Sequence, residues 1–89
     1  MDTLAVVLDR PEAISLRRLA LLPMSPADCL VEVCWSGIST GTERLLFSGT
    51  MPPFPGLGYP LVPGYESVGR VVDAGAEAGH LLGRSVFVP

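Results

Sequence analysis

Apolar residues in this chain come in short runs, several of them alternating with polar ones, and proline or glycine cuts each run off. Thr3 to Leu8 is a valine-rich run that predicts a strand. Asp9-Arg10-Pro11-Glu12 ends it with turn residues. From Ile14 to Leu19, Ile14 and Leu16 alternate with Ser15 and Arg17, which predicts a second strand with one wet face. Pro23 and Pro26 interrupt the chain before Asp28 opens the most regular strand, Cys29 to Ser36. Val31, Val33 and Trp35 fall on one face of it, and Leu30, Glu32 and Cys34 on the other, with Trp35 assigned to the core. Tyr65 to Val72 reads as a further strand, with Gly69 marking a bulge or a close backbone approach. Arg84 to Val88 is the last strand, after a loop through Asp73–Gly79 and an exposed His80.

Thr40-Gly41-Thr42-Glu43 has the spacing of a capping box, and a short helix over Glu43 to Phe47 should follow, stopped by Ser48-Gly49. Residues 51 to 64 hold five prolines and three glycines, which nearly excludes regular structure. That segment is either a shaped loop, ordered cheaply because proline restricts the unfolded chain, or a mobile lid. Five short strands with Gly/Pro turns and one helical turn give a mostly-β class and a partly open barrel.

Composition adds two points. Eighty-nine residues allow one small domain, spanning 1–89. A chain of this size buries roughly 60 to 65% of its unfolded surface. Yet 48% of the residues are apolar, so part of that surface is expected to meet a second domain or a protein partner. The net charge is −3 and the six basic residues are all arginine, scattered without a stripe, which argues against nucleic acid. No apolar run approaches the roughly 20 residues needed to cross a bilayer, and Met1-Asp2-Thr3 lacks the basic start of a signal peptide, so a cytoplasmic location is expected. Cys29 and Cys34 would lie roughly 16 Å apart along one strand, too far for a disulfide, and are expected as reduced thiols in or near the core.

Two segments carry most of the chemical information: Ser36-Gly37-Ile38-Ser39-Thr40-Gly41-Thr42-Glu43 and Pro63-Gly64-Tyr65-Glu66. Together they resemble the paired site motifs of the medium-chain dehydrogenase/reductase family, in its chaperonin-10-like (GroES-like) catalytic domain. In zinc-dependent members the first motif carries a metal-binding Cys and the second reads Gly-His-Glu. Here Ser39 stands at the Cys position and Tyr65 at the His position, while Glu66 is kept. The longer run Met51-Pro52-Pro53-Phe54-Pro55-Gly56-Leu57-Gly58-Tyr59-Pro60 is similar to the branch of that family that works in bacteriochlorophyll synthesis. The similarity extends from about Leu4 to Pro89. It implies a parent enzyme that oxidises the ring hydroxyethyl group of a bacteriochlorophyllide to acetyl, with NAD as acceptor. It also implies a cytoplasmic protein, peripheral to photosynthetic membranes.

What the residues offer fits that frame only in part. A zinc site needs three or four suitable ligands, and neutral hydroxyls are poor ones, so no bound zinc is expected. Without a Lewis acid, the alcohol proton still needs a route away as hydride leaves. Ser39, Thr40, Thr42 and Tyr65 are the hydroxyls at the matching places, and Tyr65 either relays the proton or is a packed aromatic. Glu43 and Glu66 are polar site residues or structural ones, Glu43 as the helix cap and Glu66 as an arginine partner. Phe54, Leu57 and Tyr59, with Phe47 and Leu61, either anchor the proline loop or form one wall for a flat apolar tetrapyrrole. No Gly-x-Gly-x-x-Gly follows a strand, so the Rossmann domain is absent and these residues alone should not be a dehydrogenase. Two other functions stay open: a truncated domain acting as a structural or pigment- or protein-binding module, and a zinc-free quinone reductase-like enzyme.

Overall fold

A computed structural model describes all residues from Met1 to Pro89. It is mostly β, with one α-helix and two small sheets and no closed barrel, consistent with a partial GroES-like fragment. The chain separates into two compact units: Met1–Leu21 with Ile38–Gly64, and Leu22–Gly37 with Tyr65–Pro89.

In the first unit, β1 (Asp2–Arg10) and β2 (Ala13–Ala20) form an antiparallel hairpin. Pro11 and Glu12 make its turn, where Glu12 takes φ 64° and its amide donates to the Phe47 carbonyl at 2.7 Å. Val7 and Leu8 are neighbours, so they face opposite sides of β1, yet both are buried. The free edge of β1 explains part of this, since Leu8 and Leu61 exchange backbone hydrogen bonds at 2.8 and 3.0 Å. That exchange pins the proline loop to the hairpin.

The expected wet face of β2 is reversed. Ile14 and Leu16 are 61% and 68% exposed, and across the strand pair Leu4 and Val6 are exposed too. Ala13, Ser15 and Leu19 are the half-buried ones. The side bearing Val7, Arg17 and Leu19 is the one that Pro60, Leu61 and Val62 overlie, so the alternation is real but the loop covers its polar side.

Helix α1 runs Thr40–Ser48, three residues earlier at its start than expected. Its N-cap is Ser39, whose carbonyl accepts the Glu43 amide at 2.9 Å, and no side-chain cap bond forms. Thr40 is therefore already inside the helix, and Glu43 lies four residues beyond the cap, one too many for a capping box. The stop at Ser48-Gly49 is as expected: Gly49 takes φ 76°, and the amides of Gly49 and Thr50 return to Leu46 and Leu45. The proline loop has no helix or strand of its own. It contains a tight turn, in which Leu57 donates to the Phe54 carbonyl at 3.1 Å. Pro55 and Gly56, the latter at φ 87°, occupy the central positions of a type II turn, where proline presets the first and only glycine suits the second. The Tyr59–Pro60 peptide is cis.

In the second unit, β3 (Cys29–Ser36), β4 (Ser67–Ala74) and β5 (Ser85–Val88) form an antiparallel sheet in that order. The residues Tyr65 and Glu66 precede β4 rather than belonging to it. Gly69 shows both expected features. Opposite it, β3 bulges at Cys34, since Val33 pairs with Gly69 and Trp35 with Val68. A Cβ on Gly69 would run into the Glu32 carbonyl and sit 2.7 Å from Val31 Cγ1. Val71 and Ala78 make the small core.

Trp35 is not in it: it is 78% exposed. The bulge puts Trp35 directly across from Val68, which in turn pairs with Phe87, and all three side chains share the open face of the sheet. Cys34, the bulged residue, is exposed rather than core, and Cys29 is half-buried. His80 is exposed, within a single 3₁₀ turn Gly79–Leu81. Asp28 closes a turn by accepting from the Ser25 amide at 2.9 Å, and that bond holds its carboxyl below the usual range.

Candidate functional site

The two motifs lie where strands give way to other structure. Ser36 ends β3, and Ser39 to Glu43 form the first turn of α1. Pro63 and Gly64 end the proline loop, and Tyr65 and Glu66 lead into β4.

Within the first unit, Ser39, Thr42 and Glu43 are half-buried and Thr40 is exposed. The short first turn of a helix favours anionic groups, because its free amides and dipole are positive there. Glu43 occupies that turn, and its Oε2 atom is buried with no hydrogen-bond partner. Its other oxygen faces Gly64, where an added Cβ would stand 3.4 Å from Oε1. Gly64 has φ 99°, a backbone that other residues adopt only with strain. In the second unit, Gly37 donates to the Glu66 carbonyl at 2.8 Å, and a Cβ on Gly37 would collide with Glu66 Oε2. So each motif supplies a glycine against the other motif's carboxylate. Tyr65 is 47% exposed.

The proline-loop residues divide. Phe54 is 52% exposed at the start of the turn, and Leu57 is half-buried at its end. The hydroxyl of Tyr59 donates to the Leu46 carbonyl near the end of α1. Tyr59 thus ties the loop to the helix. Under the hairpin there is an open cleft of about 140 Å³ lined by Val7, Arg17, Leu19, Pro60, Leu61 and Val62. Arg17 pairs with Asp9, which also accepts from the Ser15 hydroxyl at 2.7 Å. Sequence reasoning missed this cluster, which forms only once the hairpin brings Ser15 and Arg17 back to Asp9. Nowhere do three His, Cys, Asp or Glu side chains gather as a metal site would need. No helix is long and apolar enough to cross a membrane.

With that geometry in view, comparison with known proteins gives a class first. Curated proteins that this chain is similar to include dehydrogenases acting, by name, on a bacteriochlorophyllide. They are the 2-desacetyl-2-hydroxyethyl bacteriochlorophyllide A dehydrogenases of Rhodobacter capsulatus and Cereibacter sphaeroides, each 53% identical over all 89 residues. The chain spans 28% of the length of each, at its N-terminal end. No protein-family description matches the chain. No solved structure matches it either.

Proposed function

We propose that these residues form the N-terminal, substrate-side part of a GroES-like catalytic domain, of the medium-chain dehydrogenase type. The whole enzyme oxidises the hydroxyethyl side chain of a bacteriochlorophyllide to acetyl. The observation that carries this reading is the 53% identity across the whole length of the chain. The exposed apolar turn at Phe54, beside the half-buried Leu57, supports a pigment-facing wall, because flat apolar ligands are gripped mainly by such surface.

Oxidation of a secondary alcohol removes a hydride from carbon and a proton from oxygen. The hydride acceptor, NAD in this reading, has no cradle here: no Gly-x-Gly-x-x-Gly loop leads into a helix. The residues of this chain therefore do not fit the cofactor, which is held outside them. What they contribute is hydroxyls at the motif positions: Ser39, Thr40 and Thr42 in the first unit and Tyr65 in the second. The reaction proceeds without zinc, in a cytoplasmic protein that meets its pigment at the photosynthetic membrane. The experiment is to mix the 89-residue chain with the hydroxyethyl pigment and NAD and follow the absorption of the acetyl product. No product is expected; turnover by the chain alone would overturn the division of labour. A second reading, a pigment- or protein-binding module, is favoured by the exposed Trp35–Val68–Phe87 row. Tight pigment binding by the chain alone would support it.

A further inference from the structure

Among the described residues, the buried side-chain oxygen left without a hydrogen-bond partner is Glu43 Oε2. A buried carboxylate oxygen with no donor is costly, and a catalytic role is one of the reasons such an atom is kept. We propose that Glu43 Oε2 is the acceptor for the hydroxyl of the alcohol substrate, and so the residue that distinguishes alcohol from ketone. This inference rests on the dehydrogenase reading above.

Its place in the motif and its chemistry point there. Glu43 lies in the motif turn that the hydroxyls of Ser39, Thr40 and Thr42 share, so it stands at the place assigned to the alcohol. A carboxylate only accepts hydrogen bonds, so its natural partner is a donor such as an alcohol hydroxyl. The other oxygen of Glu43, Oε1, faces Gly64, which brings no side chain to that end of the proline loop. An alcohol donates a hydrogen bond to this oxygen. A ketone has no donor there and presents a lone pair to an anion, so the product is bound less well than the substrate and leaves. A site built around a substrate hydroxyl rejects the analogue lacking it far better than an apolar pocket rejects a missing methylene.

The test uses the full-length protein carrying these 89 residues and titrates three pigments by absorption: the hydroxyethyl form, its methyl ether and the acetyl form. The wild type should bind the hydroxyethyl form roughly 10- to 100-fold more tightly than the other two, the scale of one hydrogen bond to a charged group. Glu43→Gln has nearly the same shape but brings an N–H donor, so its preference should collapse and tilt toward the acetyl form. Equal binding of ether and alcohol by the wild type would overturn the assignment without any variant, and so would an unchanged preference in a folded Glu43→Gln. If none of the three pigments binds, the dehydrogenase reading fails, and this assignment with it.

Discussion

Two tyrosines separate function from packing at the scale of single residues. Tyr59 spends its hydroxyl on the Leu46 carbonyl, so Tyr59→Phe should lower stability by about 1 kcal/mol and leave kcat of the full enzyme nearly unchanged. A thermal melt and a turnover assay on the same variant check both halves. Tyr65 stands at a motif position and is 47% exposed. If its hydroxyl relays the proton, Tyr65→Phe should cut kcat roughly 10²-fold or more, the usual scale of general acid–base help. Wild-type turnover in that variant would remove Tyr65 from the chemistry. The sequence placed Tyr65 in a motif and Tyr59 in the proline loop, because motif spacing is local. It did not reveal that Tyr59 bonds to a carbonyl thirteen positions earlier, since that depends on how the loop folds back on α1.

At the scale of elements, the proline loop is held at two points, Leu8–Leu61 and Tyr59–Leu46, with the Phe54–Leu57 turn between α1 and those anchors. Phe54→Ala should raise KM for the pigment while leaving kcat nearly intact, because it removes surface that binds ground state and transition state alike. Leu57→Ala should do the same and also lower the melting temperature, since Leu57 is half-buried. Unchanged KM in both would take the loop out of the pocket. All five strands and the helix were legible, because apolar runs and Gly/Pro stops are short-range signals. Their faces were less so. The bulge at Cys34 adds a residue to β3 without a partner on β4 and helps set which side Trp35 takes, and the loop over Val7 and Leu19 covers the polar side of β2. A period-two pattern cannot show either, because both depend on residues far away in sequence.

At the scale of the whole molecule, the outstanding property is exposed apolar surface on each sheet: Leu4, Val6, Ile14 and Leu16 on the hairpin, and Trp35, Val68 and Phe87 on the three-stranded sheet. Individual exposed apolar residues are ordinary, but contiguous rows mark surfaces that meet something. The isolated chain should self-associate and bind a hydrophobic dye. Its single tryptophan should emit at long wavelength and be quenched readily by acrylamide, and the emission should move to shorter wavelength in the full-length protein. A sharp, monomeric melt with no dye binding and a shielded tryptophan would contradict this. The central claim is that the chain is the functional equivalent of the first 28% of its dehydrogenase relatives. The most direct measurement replaces that part of the Rhodobacter capsulatus enzyme with these 89 residues and compares kcat/KM for the hydroxyethyl pigment with that of the unaltered enzyme. A value within roughly ten-fold is expected, since about 1.4 kcal/mol of transition-state stabilisation is all that such a difference represents. A well-folded hybrid that binds the cofactor but forms no acetyl product would contradict it.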